Sequence, residues 1–322
     1  TTTNLLGRVT GGNPSSIFGT IDTMSFPGAN LFLLNPAGII FGPTAQLNVG
    51  GSAVFTTADY LQLTDGALFH KVPNVDRDAL LSAAPVAAFG FLGSTAGIIS
   101  VAGSSLAVPE GQSLLLIGGN LDIRGTIQGE TLQPARLTAP GGTIKLASSA
   151  SPGELSYSAL ESGSNINGET LSHFAIVVLG SESVMNLTDS NSGRVSIRGG
   201  QLMMGIRDAL LHTITEGASN STQNHIAFGG GSSITANTSD EATNIEIVTG
   251  SLELRAGAQI ASTNMSENPG GPIMIEATDH VTITGIASDE SAPGIITNIG
   301  VVTSGVFSKT MGNGSGRPIT IY

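Results

Sequence analysis

The chain has 322 residues, of which 44 are Gly and none are Cys or Trp, with 4% aromatic and 11% charged residues. Its 12 Lys and Arg against 24 Asp and Glu give a net charge of −12, which excludes the clustered cations that bind nucleic-acid phosphates or seek an anionic membrane surface. The absence of Cys excludes disulfides, thiolate metal sites and cysteine nucleophiles, and the many small residues beside Val, Ile and Leu point to thin, repeated strands rather than a large aromatic core.

The first residues, "TTTNLLGRVTGG", have neither a basic start nor a continuous apolar core, so they do not read as a signal peptide. With no initiating Met, the chain reads as a fragment or a mature form. The apolar runs "NLFLL" (30–34) and "GIIFG" (38–42) flank a turn, Asn35-Pro36-Ala37-Gly38. Asn at the first position, Pro at the second and Gly at the fourth favour type I, and Ala37 at the third argues against type II, which needs positive φ there. Two uncharged stretches, Asn30–Ala58 and Leu80–Pro109, exceed the ~20 residues that span a bilayer. Pro36, Pro43, Pro85 and Pro109 interrupt them, and a helix broken so often would leave backbone groups unpaired in lipid.

Short β-rich runs continue with "AVFTT", "GIISVAG", "SLLLIGG", "NLDIRG" and "GTIKLA", each bounded by Gly, Pro, Asn or Ser. "RDALLSAAPVAAFGF" (77–91) starts helically before Pro85 interrupts it, and Gly205–Gly217 is a second weak helix candidate. "SSASPGELSYSALESGSNINGETLSHF" (148–174) reads as a break that bulges out as a loop. Beyond it the chain repeats. "RVSIRGGQLMM" (194–204) and "NIEIVTGSLEL" (244–254) share a pattern 50 residues apart, and "GSSITANTSD" and "GAQIASTNMS" share another 26 apart (231 to 257). Partial copies stand at Gly142, Gly270 and Gly316.

A repeat unit of two or three short strands cannot bury its apolar face alone, so neighbours must stack. The [Val/Ile]-x-Ile alternation sends one side chain in and the next out, and spacings near 25 or 50 suit coils of a right-handed parallel β-helix, an all-β solenoid. A β-sandwich would need hairpin signals that recur with the repeat. Asp65-Gly66, Asn167-Gly168 and Asn313-Gly314 do not.

The stretches "NLLGRVTGGNPSSIFGTID" and "NLFLLNPAGIIFGPTAQLNVGGSAVFTTADYL" resemble the N-terminal haemagglutination-activity domain of two-partner secretion exoproteins, the filamentous-haemagglutinin-like proteins of Gram-negative bacteria. The likeness is closest over Asn4–Leu63 and extends to about Ala147. The family's Asn-Pro-Asn-Gly motif falls on Asn35, Pro36, Ala37 and Gly38, with Ala37 in place of the second Asn. Its Asn-Pro-Asn-Leu motif, further upstream in the family, is not found here, so the chain is expected to begin inside the domain. The resemblance implies a right-handed parallel β-helix, export through a dedicated outer-membrane β-barrel transporter, and a rod serving adhesion, aggregation or delivery. Together with the break and the repeat, it divides the chain into the C-terminal part of a secretion domain (1–147), a loop or insertion (148–174) and repetitive β-helix coils (175–322).

β-Helices also carry polysaccharide-cleaving enzymes, whose chemistry needs two carboxylates at a set separation. Asp76/Asp78, Asp240/Glu241 and Asp289/Glu290 all lie in polar segments that read as solvated loops. His70, His173, His212, His225 and His280 show no metal-binding spacing. Gly229-Gly230-Gly231 lacks the Lys-Ser/Thr of a phosphate loop, and Asp122, Asp189 and Asp240 do not specify a calcium site. No catalytic, cofactor or metal residue is assigned. The expected protein is a secreted, adhesin-like cell-surface structural exoprotein meeting host or neighbouring-cell surfaces and their glycans. The alternative is a self-assembling extracellular fibre, joined end to end by strand addition at the open coil left by the mid-repeat stop at "GRPITIY". A polysaccharide-degrading enzyme comes third.

Overall fold

The computed structural model describes residues 2–128, 131–157, 170–180, 182–187, 193–204, 227–228, 233–238, 244–255, 258–264, 271–284, 286–287, 302–310 and 317–322. They form a parallel β-helix, built as three ladders of short strands, one per face. The first face stacks Asn4–Arg8, Asn30–Leu34, Ala53–Thr56, Ser113–Gly118 and Thr143–Ser148, every neighbouring pair parallel. The second stacks Ser15–Ile17, Ile39–Phe41, Ile99–Ala102, Leu121–Arg124 and Ile176–Leu179. The third pairs Thr20–Asp22 with Gln46–Asn48, and runs on through Ser105–Ala107, Ala135–Thr138, Ser183–Asn186, Ser233–Thr238, Gln259–Asn264 and Gly305–Thr310.

In the later coils single strands turn the corner between the first two faces. Arg194–Met204 pairs with Thr143–Ser148 along its first half and with Ile176–Leu179 along its second. Asn244–Arg255 and Ile273–Thr284 follow it, so the two faces merge into one 15-stranded sheet. The sequence repeat is the ladder itself. Arg194 faces Asn244 and Met204 faces Leu254, so the 50-residue offset is the register. Ser233 faces Gln259, which is the 26-residue offset on the third face.

Alternation fills the interior with stacked apolar rungs. Phe55, Leu116, Leu146, Ile197, Ile247 and Ile275 lie in register on the first face, and none is more than 1% exposed. Phe41 meets Phe55 edge to face across the interior, with ring centroids 4.8 Å apart. A bare coil needs 22 residues (Leu31 facing Ala53), and the coil that adds the antiparallel hairpin of Thr126–Gln128 and Thr131–Gln133 needs 31 (Ser105 facing Arg136).

The excursions are where the structure departs from the loops read in the sequence. Ala53 faces Leu114, 61 residues on. Between them the chain leaves the stack and forms Tyr60–Leu63, Leu68–His70 and Val86–Phe91. With Gly153–Ser156 these make a four-stranded antiparallel sheet on the outside of the first face. The start of the 148–174 break is therefore strand rather than loop, and residues 158–169 lie outside the described residues. Asp65-Gly66 does make a hairpin, with Gly66 at φ +86° and its N–H bonded to the Leu63 carbonyl, but the hairpin belongs to this outer sheet. The helix expected near Arg77 spans only Val75–Asp78, capped by the Asn74 side chain on the Arg77 N–H. The second helix candidate, Gly205–Gly217, lies outside the described residues.

A second apolar core joins the outer sheet to the coils. Phe32, Leu34, Val54, Leu115, Ile117 and Ala147 point outward from the first face into Leu61, Phe69, Phe89, Phe91 and Leu155. This explains the unbroken apolar run "SLLLIG". Leu114 and Leu116 face the interior, Leu115 and Ile117 face the outer sheet, and a strand buried on both faces loses its alternation.

Candidate functional site

The Asn35–Gly38 turn sits where the first face bends into the second. The Gly38 N–H donates to the Asn35 carbonyl at 3.0 Å, closing the four-residue turn. Ala37 has no positive φ, as type I requires. Asn35 is 1% exposed, and its side chain is used fully. Its Oδ1 accepts from the Ala37 N–H at 3.0 Å, and its Nδ2 donates to the Asn13 carbonyl at 3.0 Å and Ser15 Oγ at 2.8 Å. One residue therefore ties its own turn to the coil before it. Its backbone N–H donates to the Thr56 carbonyl, in the coil after it.

The turn is also pressed from one side. The Gly97 N–H donates to the Pro36 carbonyl at 3.1 Å, and the Ile39 N–H to the Ile98 carbonyl at 3.0 Å. A Cβ on Gly97 would lie 2.5 Å from the Gly38 nitrogen, so only glycine lets the backbones approach this closely. Gly38 is at φ +124°, and a Cβ there would come within 3.0 Å of the Ile98 carbonyl. Further along the same corner, Thr57 Oγ1 donates to the Gly97 carbonyl and accepts from the Gly119 N–H, at 2.9 and 3.1 Å. The corner is thus a column of stacked turns, held by one buried amide, the hydroxyls of Ser15 and Thr57 and close glycine contacts. None of the hydrogen-bond partners of Asn35 is titratable, so the arrangement positions backbone and moves no proton.

The sequence singled out the four turn residues but not Asn13, Ser15, Thr57, Gly97 or Gly119. One trace of the column was present: "AGII" occurs at 37–40 and again at 96–99, the two layers that touch.

The other candidates do not converge. Asp78 is in the short helix, ion-paired with Arg8, whose guanidinium holds its carboxyl below the usual carboxylate range. Asp76 shares that helix, while Asp189, Asp240/Glu241, Asp289/Glu290, His212, His225 and Gly229-Gly230-Gly231 lie outside the described residues. Asp122 is bound by Arg124 Nε at 2.8 Å. Among the described residues no three His, Asp or Glu side chains gather into a metal-binding group. Among the described residues the carboxylates pushed upward are Glu182 and Glu246, both raised by burial, opposed by Arg136 at the first and by Arg194 and Arg198 at the second.

A coiled stack of this kind, locked at one corner and sheathed on one face, defines a β-helical solenoid domain. The family model of the TPS secretion domain matches residues 1–197, and the chain belongs to that two-partner secretion family. No curated protein and no solved structure matches it. Exoproteins with this domain leave Gram-negative bacteria through the outer membrane, by way of a dedicated outer-membrane transporter, and the family is not enzymatic.

Proposed function

We propose that the chain is the secretion domain and first rod segment of a surface-exposed, adhesin-like exoprotein. Residues 1–147 serve export, 148–174 form an insertion, and 175–322 form the rod. The observation that supports this reading is continuity. Parallel pairing runs on past residue 197, where the family match ends, through Asn244–Arg255, Ile273–Thr284 and Ile319–Ile321, with one shift of register between Thr249 and Ser251. A domain whose coils run straight into further coils is suited to carrying what lies beyond it away from the cell. Asn35–Gly38 is then the secretion-motif turn, and its role is to lock the first coils as they form. The surfaces contacted are those of host or neighbouring cells, including their glycans.

The test is to place the chain behind a signal peptide, with and without a partner transporter, in a Gram-negative host. Transporter-dependent release or display, followed by binding of the purified chain to cells or glycan-coated surfaces, is the expected result. Transporter-dependent export with no binding to any surface would remove the adhesin reading and leave a spacer.

A further inference from the structure

We propose that Gly153–Ser156 is a clasp: by completing the outer antiparallel sheet it makes the first coils open and close as one unit. The strand is four residues long and lies at the edge of the sheet, against Val86–Phe91 alone. Short edge strands with few ladder bonds belong to the part of a structure that opens most readily. Yet what this one closes is large. Leu155, 1% exposed, packs into the core that holds Phe32, Val54, Leu115 and Ile117, residues of three successive coils of the first face.

Polar contacts fix the clasp from both sides. Tyr60 Oη donates to the Glu154 carboxylate at 2.5 Å, across 94 residues of chain. The Tyr157 N–H donates to the Ala87 carbonyl at 2.7 Å. The returning segment holds it from behind, with the Glu154 N–H on Thr170 Oγ1 at 2.7 Å, and the Ser172 and His173 N–H groups on Ser151 Oγ at 2.9 and 3.0 Å.

The apolar outer face ends where the clasp ends. In register after Phe32, Val54 and Leu115 comes Lys145, then Ser196 and Glu246. Lys145 stands over the Tyr157 ring at 5.0 Å, and Arg198 over the Phe174 ring at 4.5 Å. Two aromatic residues next to the clasp meet the two cations that begin the polar part of the face. The sheath and the surface it covers therefore have the same limit.

One consequence rests on the export reading. Whichever end of the chain leaves a pore first, the sheet closes only when residues 60–91 and 153–156 are on the same side of the membrane. The clasp then marks the point at which the N-terminal coils become committed to the folded state.

The test uses the purified full chain and hydrogen exchange, so it stands whether or not export requires a transporter. Leu155→Asp is expected to speed exchange at least tenfold across Leu31–Thr56 and Leu114–Ile117, while leaving Ile245–Leu254 unchanged. A second variant, Ala88→Cys with Ser156→Cys, joins a directly facing pair next to the hydrogen-bonded pair of Ala87 and Tyr157, where side chains approach most closely. The chain has no other Cys, so oxidation closes this bridge alone. The oxidised form is expected to exchange at least tenfold more slowly than the reduced form over Leu31–Thr56. Acceleration confined to residues 149–157 in Leu155→Asp, or equal exchange in the oxidised and reduced forms, overturns the clasp. If Leu155→Asp does not fold, the cysteine comparison decides alone.

Discussion

Asn35 shows how much of a coil can depend on one side chain. A buried amide with all its hydrogen-bonding groups engaged cannot be removed without leaving partners unpaired. Asn35→Ala strands the Ala37 N–H and the Asn13 carbonyl, and is expected to cost about 2–3 kcal/mol in urea unfolding. Gly97→Ala forces a methyl against the backbone of Gly38 and should cost about 1–3 kcal/mol. Ala37→Asn, which restores the family's motif at a half-buried position, should stay within about 0.5 kcal/mol of wild type. That ranking is the check, because a turn that merely linked two strands would tolerate all three. The turn and its type were legible in the sequence because its residues are adjacent and each has a known preference. Its partners were not, since Gly97 and Thr57 reach the corner only once the coils stack. Tyr60 adds a spectroscopic prediction. Burial and the Glu154 carboxylate push its phenol up to about 12. The neutral phenol therefore stabilises the fold below the ordinary tyrosine range near 10, and this stabilisation is lost as pH rises to about 12. Of the three tyrosines, one should ionise late in an absorbance titration, and Tyr60→Phe should abolish that phase.

At the scale of elements, the sequence was most readable where the coils are barest. The first halves of Arg194–Met204 and Asn244–Leu254 alternate because one side of each strand faces the interior and the other is only partly covered. Their 50-residue offset could be counted and proved to be the register. Ile247→Ala, in the middle of that ladder, is expected to cost about 2–5 kcal/mol by thermal or chemical unfolding. The outer sheet was hidden for the opposite reason. Its fourth strand pairs with Val86–Phe91 from more than 60 residues away, and no local signal links the two. The doubled burial it imposes appeared only as a run of leucines. The sheet is also tied to the first strand of the stack, where Arg8 donates to the His70 carbonyl at 2.9 Å and pairs with Asp78. Arg8 keeps the Asp78 carboxyl below its ordinary range, so the tie is complete above that range and is lost as pH falls through the depressed value. An acid step in stability should disappear in Asp78→Asn, a comparison that acid unfolding profiles resolve.

For the molecule as a whole, composition excluded more than it identified. The absence of cysteine removed thiol chemistry and a net charge of −12 argued against nucleic-acid binding, while a solenoid followed from the small residues and repeats. The ladders have a mechanical consequence. Among the described residues nine strands stack on the first face, and at about 4.8 Å per step they span roughly 38 Å along the axis. Their hydrogen bonds point along that axis. Tension applied between the ends therefore loads the coils in series and peels them singly, as a zipper opens. Pulled in an optical trap, the bare coils should yield in small steps at low force. The sheathed coils should give way together in one larger step, because the outer sheet bridges several of them and shares the load in parallel. An exoprotein built this way yields first where it is unsheathed, and its sheathed N-terminal coils hold longest.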